Sequence, residues 1–152
     1  MMPTLTWTCC ALDALGAREL YALLQLRSEV FVVEQRCIYL DPDGQDLMAL
    51  HLLGRDASGE LLACARLIPT AAGPKIGRVL TAPAARGAGQ GRALMQRAIA
   101  ECEQRWPGQG ISLSAQEHLQ GFYASLGFVP TSAVYDEDGI PHIDMRREPQ
   151  QP

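Results

Sequence analysis

Apolar positions along the chain change period several times, and each change marks an element. Residues 6–9, Thr-Trp-Thr-Cys, alternate over a short stretch and predict a first strand. Over residues 17–33 the spacing becomes helical, with Leu20, Leu23, Leu24, Arg27, Val30 and Phe31 along one side. Asp41-Pro42-Asp43-Gly44 is strong turn chemistry and predicts a loop. Residues 50–55 and 61–69 read as strands joined by the hairpin signal Asp56-Ala57-Ser58-Gly59. A fourth β-like run, 76–82, is closed by Pro83. Gly91, Leu94, Met95, Ala98, Ile99 and Cys102 then form a helical stripe that reads as core packing, in a helix ending before Pro107-Gly108. Residues 111–115 alternate as a fifth strand. Residues 117–126 predict a short helix with Leu119, Phe122, Tyr123 and Leu126 on one face and Gly127 as its stop. Residues 128–134 and 140–146 predict two closing strands around Asp136-Glu137-Asp138-Gly139. Pro141 cannot donate to a ladder, which puts the last strand at an edge or gives it a bulge.

The resulting order, β–α–loop–β–β–β–α–β–α–β–β, predicts an α/β domain with a mixed sheet and helices on its faces. At 152 residues the chain suits one domain, residues 1–148, followed by a frayed Pro/Gln tail, 149–152. A net charge of −4 argues against nucleic acid as an obligate partner, because phosphate backbones reward clustered Lys and Arg. No apolar run approaches the roughly 20 residues that span a bilayer, and the N-terminus lacks the layout of a signal peptide. No membrane partner is expected, and the expected address is cytoplasmic. The five cysteines form no Cys-x-x-Cys pair and the three histidines are scattered, so no metal site is expected; Cys64 and Cys102 read as small core fillers. His51 reads as a satisfied core histidine. Arg27 and Arg66 fall within apolar segments and are expected to pair with buried carboxylates or to line a cleft.

The most informative stretch is Arg86-Gly87-Ala88-Gly89-Gln90-Gly91-Arg92, lying between the fourth strand and the long helix. Backbone N–H groups at a helix start point outward and the helix dipole favours an anion there, so a strand, a glycine turn and a helix together make a phosphate cradle. The competing reading is a glycine-rich turn that only caps a helix. A P-loop is excluded because the sole lysine, Lys75, precedes the turn. A dinucleotide fingerprint is excluded because its last glycine would fall on Arg92 or Leu94.

What remains, Arg-x-x-Gly-x-Gly, resembles the pyrophosphate signature of the GNAT acyl-CoA N-acyltransferases. Phe122-Tyr123-Ala124-Ser125-Leu126-Gly127-Phe128 resembles the Phe-Tyr-x-x-x-Gly-Phe signature that this superfamily carries after its fifth strand. The strand order agrees over nearly the whole chain. Residues 20–46 and 135–145 resemble the ElaA-like group within it. The resemblance implies a GNAT fold with a mixed central sheet of about seven strands, acetyl-CoA as co-substrate without a metal, and direct acyl transfer to an amine in a ternary complex. The acceptor, a small-molecule or peptide amine, and the oligomeric state, a homodimer included, stay open, as does a non-catalytic acyl-CoA-binding module of the same fold.

The resemblance also assigns roles. The N–H groups of residues 87–92, with Arg86 and Arg92 as charge partners, would hold the phosphates. Val79, Leu80 and Thr81 match the strand edge that pairs with the pantetheine arm, and an N–H there would polarise the thioester carbonyl. Phe122 and Tyr123 complete the cofactor wall. Gln116 stands where many GNAT enzymes have Asn, with the same hydrogen-bonding capacity and a longer reach. Tyr123 matches the position of the general acid for the departing thiolate; otherwise it is a core aromatic. An alkylamine with a pKa of about 10.4 must lose a proton before attack. Glu34, at the end of the first helix, is the leading base, or else a structural residue tying down the loop. Asp43, Asp46, Asp138 and His142 are the weaker candidates. The acidic residues of 41–46 and 136–138 either attract a cationic amine or are simply solvated turns.

Overall fold

A computed structural model describes residues 4–150. Its strands are β1 (Thr6–Ala11), β2 (Leu50–Arg55), β3 (Leu61–Ile68), β4 (Lys75–Thr81), β5 (Ile111–Gln116), β6 (Val129–Pro130), β7 (Tyr135–Glu137) and β8 (Ile140–Arg147). They form one mixed sheet in the order β1-β2-β3-β4-β5-β8-β6, with β7 also on β8. Only β4 and β5 run parallel; the remaining pairs are antiparallel. The α/β architecture expected from the patterning is therefore present, with eight strands instead of about seven.

Helix α1 (Ala17–Arg27) buries Leu23, Leu26 and Arg27, and the chain continues as a π-helical stretch, Ser28–Glu34. The wide turn is visible in Gln35 N–H to Val30 C=O, 3.2 Å, and Cys37 N–H to Val32 C=O, 3.1 Å. Single π segments inside helices redirect the chain; this one brings Phe31, Glu34 and Gln35 to the wall of the central cavity. Helix α2 (Gln90–Arg105) buries Leu94, Met95, Ala98, Ile99 and Cys102, the stripe read from the sequence. Cys64 is buried as well, and burial pushes the thiols of Cys64 and Cys102 up to about 12. His51 is buried with Nε2 3.0 Å from the Asp46 carbonyl.

Three local expectations need correction. The helix predicted over 117–126 is a 3-10 turn, Glu117–Leu119, followed by the short α3 (Gln120–Ala124). The strand predicted over 128–134 shrinks to β6, because Ser132 Oγ takes the Asp144 N–H (3.0 Å) that would otherwise meet a strand carbonyl. Tyr135, Asp136 and Glu137 instead form β7, and the turn to β8 is the pair Asp138-Gly139, both left-handed (φ 54° and 81°) as a tight hairpin demands. The last strand is not an edge: β8 lies between β5 and the β6/β7 pair. Pro141 is tolerated because the β5 ladder begins one residue later, at Gln116↔His142.

Candidate active site

Strands β4 and β5 pair only at Lys75↔Ser112 and Ile76↔Leu113. Beyond Leu113 they part, and a cavity of about 950 Å³ opens in the fork. A bulge bends β4 away at this point. Cys64 faces Leu80 and Arg66 faces Gly77, so Arg78 and Val79 together stand opposite Ala65. Arg78 takes a left-handed φ of 48°, a conformation that costs a non-glycine residue about 1–3 kcal/mol. Its guanidinium is held by Asp41 Oδ1 at 2.8 Å and by the Asp41 carbonyl at 3.1 Å, above the Tyr39 ring. Val79, Leu80 and Thr81 thus line the cavity along a strand side that no neighbouring strand covers among the described residues.

At the open end of the fork the chain turns into α2. Gly87 and Gly89 have φ of 91° and 78°, and Gly89 is the N-cap. These two positions require glycine. The first backbone bond into the helix runs from Ala93 N–H to Gly89 C=O, 3.0 Å, so the N–H groups of the first turn face outward. A Cβ built on Gly87, Gly89 or Gly91 meets no atom within 4 Å. Gly91 lines the cavity, whereas Gly87, Ala88, Gly89, Gln90 and Arg92 lie on the outer lip. An open, N–H-rich lip and an uncovered strand side leading inward suit a long thioester with phosphates at one end.

The side chains around this channel are not all free. Arg86 donates to both Glu34 oxygens (2.8 and 2.6 Å) and to the Thr81 carbonyl (3.2 Å). The Arg86 bonds hold the Glu34 carboxyl below its ordinary range. The two residues expected to act separately, one on the amine and one on phosphate, here bind each other. Arg92 donates to Ser125 Oγ at 2.8 Å and lies over the Phe122 ring. Gln116 reaches Gln35 at 3.5 Å. Tyr123 packs edge-on against Phe122 and Phe128 and is 7% exposed, yet it lines the cavity. Burial pushes its phenol up to about 12, so the hydroxyl carries its proton at any working pH.

The other end of the cavity lies between the loop after the π-helical stretch and the β7–β8 hairpin. Cys37 Sγ, 3.5 Å from the Asp138 carbonyl, bridges the two. Asp43 and Asp46 both meet arginines, and of the two only Asp43 also lines the cavity. Arg66 donates two 2.8 Å bonds to Asp43 and one of 3.1 Å to Asp46, while Arg27 bonds Asp41 (2.7 Å) and Asp46 (2.8 and 3.1 Å). The Arg66 bonds hold Asp43 well below the usual carboxylate range; burial opposes ionisation of Asp46, but Arg27 and Arg66 outweigh it. Arg27 and Arg66 therefore pair with buried carboxylates as the sequence suggested, and Arg66 lines the cavity too. Asp138 and His142 line the opposite side. His142 Nδ1 is 2.7 Å from the Ile140 carbonyl, Nε2 is 3.3 Å from Glu137 Oε2, and the ring stacks on Tyr135. The sequence reading missed Arg78 and the pairing of Ser114 on β5 with Asp144 and Tyr135. Neither has a local signature, since a bulge and a cross-strand register arise only in the assembled sheet.

The family profile of the acetyltransferase (GNAT) domain matches residues 45–149. The chain belongs to the GNAT acetyltransferases. Protein ElaA of Escherichia coli is 48% identical over 139 residues, covering 88% of this chain and 90% of that protein. The crystal structure of Escherichia coli ElaA superposes with a TM-score of 0.90 at 45% identity, over 95% of this chain and 100% of that one. That of an acyl-CoA N-acyltransferase from Pseudomonas aeruginosa gives 0.89 at 48% identity, over 95% and 99%. Both the superfamily resemblance and the ElaA-like one thus hold. GNAT proteins use acyl-CoA. Among the described residues no group of three or more His, Cys, Asp or Glu is placed to hold a metal, and no helix is long and apolar enough to cross a membrane.

Proposed function

We propose that this protein is a cytoplasmic acetyl-CoA-dependent N-acetyltransferase that passes an acetyl group directly to a small-molecule or peptide amine within a ternary complex. The observation that carries the reading is the fork: an uncovered β4 side runs from the glycine lip of α2 to a cavity containing a protonated Tyr123. Acetyl-CoA supplies the activated acyl group and a thiolate leaving group. The N–H groups at the start of α2 hold its phosphates. Arg86 adds charge there once its guanidinium turns from Glu34, and Val79, Leu80 and Thr81 offer strand-like bonds to the arm. A β4 N–H is available to the thioester oxygen. Tyr123 gives its proton to the thiolate.

His142 is the best-placed base. A carbonyl only accepts, so the neutral imidazole carries its proton on Nδ1, against Ile140, and has its lone pair on Nε2. A proton taken there is then shared with Glu137. Glu34 remains the second candidate, released only if Arg86 turns to phosphate.

The test is CoA thiol release with acetyl-CoA and a panel of primary amines. Turnover separates an enzyme from a non-catalytic acyl-CoA-binding module. Tyr123→Phe should lower kcat about 10²-fold, in the range for a lost general acid, with acetyl-CoA binding unchanged. At Gly91 an added Cβ meets no neighbouring group within 4 Å, so Gly91→Glu should fold and bind CoA at least tenfold more weakly, about 1.4 kcal/mol. Unchanged CoA affinity in that variant would overturn the phosphate site.

A further inference from the structure

Ser114, Asp144 and Tyr135 form a hydrogen-bonded group that none of the roles above uses. Ser114 is the first β5 residue past the last β4 pairing, so it stands at the base of the fork, and it lines the cavity. Across the ladder it faces Asp144 on β8, and its Oγ donates to Asp144 Oδ1 at 2.8 Å. Tyr135 on β7 donates to the same oxygen at 2.6 Å and lies 3.0 Å from Ser114 Oγ. Neither Asp144 nor Tyr135 lines the cavity. The Tyr135 bond, with that of Ser114 and the nearby Lys75 charge on β4, keeps the Asp144 carboxyl below its ordinary range.

The bookkeeping of hydrogens is decisive. An ionised carboxylate only accepts, while a hydroxyl has one hydrogen and two lone pairs. Asp144 takes the single hydrogen of Ser114 and, by its shortest contact, that of Tyr135. Ser114 Oγ is therefore left with lone pairs to offer the cavity. Such an oxygen suits an N–H donor and repels another acceptor. An amine held through one N–H keeps its nitrogen lone pair off Ser114 and free for attack within the fork.

We infer that Ser114 binds the N–H of the acceptor amine and orients it for attack, and that Asp144 and Tyr135 are positioning residues that keep the Ser114 hydroxyl an acceptor. This rests on the N-acetyltransferase reading.

The test uses the intact chain, acetyl-CoA and the best acceptor among n-butylamine, putrescine and glycinamide, with CoA thiol release as the readout. Ser114→Ala should lower kcat/KM for the amine about tenfold, as for one lost hydrogen bond, with the KM for acetyl-CoA within twofold. Ser114→Thr keeps the hydroxyl and should recover most of the rate. Asp144→Ala removes the oxygen that holds the serine hydrogen, so the Ser114 hydroxyl is free to turn that hydrogen toward the cavity and the amine kcat/KM should fall about as far as in the Ser114→Ala variant. Tyr135→Phe should lose about two- to threefold. Ser114→Ala within twofold of wild type on the amine, or with an equal loss on the acetyl-CoA KM, overturns the inference while leaving the acetyltransferase reading intact. If Ser114→Ala does not fold, a wild-type amine kcat/KM in Asp144→Ala overturns it. A wild type inactive on every amine overturns both.

Discussion

Two acid-rich turns flank one end of the cavity, and in sequence they look alike. Residues 41–46 carry three aspartates, and residues 136–138 carry Asp-Glu-Asp. In the fold they differ completely. Asp41, Asp43 and Asp46 meet Arg27 from α1, Arg66 from β3 and Arg78 from the β4 bulge, three carboxylates against three guanidiniums, mostly out of solvent. On the hairpin, Asp136 takes its own turn's Gly139 N–H and Glu137 faces His142, and among the described residues no lysine or arginine pairs with 136–138. The first turn is a clasp whose field is cancelled by its partners. The second keeps an open negative field at the mouth. A carboxylate is thus a source of attraction only where the fold brings it no cation.

The contrast predicts a large stability effect on one side and catalytic effects on the other. The largest should come from Asp46→Asn, which leaves buried Arg27 and Arg66 short of a partner; removing one member of such a pair costs about 3–5 kcal/mol. The folded Asp46 carboxyl lies below its unfolded value, so its contribution is complete above pH of about 4 and is lost as the pH falls through the folded value. Melting curves should show the gap between wild type and variant widest near neutral pH and narrowing in acid. A gap that widened in acid would break the clasp reading.

Next comes His142→Gln on the hairpin side. It should fold normally and lose rate by about 10²-fold at neutral pH, roughly 2.7 kcal/mol, with partial recovery at higher pH as free amine becomes abundant. A normal rate across pH 6 to 9 would return the search to Glu34, for which Glu34→Gln is the parallel measurement. The smallest effect should be Asp138→Asn. This residue is exposed, and the melting temperature should not move. The KM for a cationic amine should rise roughly two- to fivefold at low salt and by less as salt is added. A matching rise on substituting Asp43 in a variant of unchanged stability would erase the distinction between the two turns.

Much of this architecture is readable without coordinates, because it rests on short-range rules. The α2 stripe is read from helical period and buried as expected, and the glycine turn sits at the helix start where its spacing put it. The Asp138-Gly139 dipeptide makes the tight turn that its left-handed tolerance favours, though one strand pair further along than a four-residue turn would give. Failures arise where a distant group competes with a local preference. The strand expected over 128–134 is cut short by Ser132 reaching Asp144, twelve residues away, and Pro141 sits within an internal strand because the ladder on its free side starts one residue late.

By itself, then, the sequence determined the order and type of the elements as far as β5, the core stripe of α2 and the anion-ready start of that helix, since periodicity, turn chemistry and helix ends depend on neighbours a few residues apart. It also determined the family, through two motifs of fixed spacing. Only the tertiary structure decided which charges are spent and which are open. Glu34 with Arg86 (52 residues apart), Arg66 with Asp43 (23 apart) and Ser114 with Asp144 (30 apart) are pairings of register and loop placement. A side chain's charge is written in the chain, but its partner is chosen by folding, and the partner determines whether the group holds the scaffold or faces a substrate.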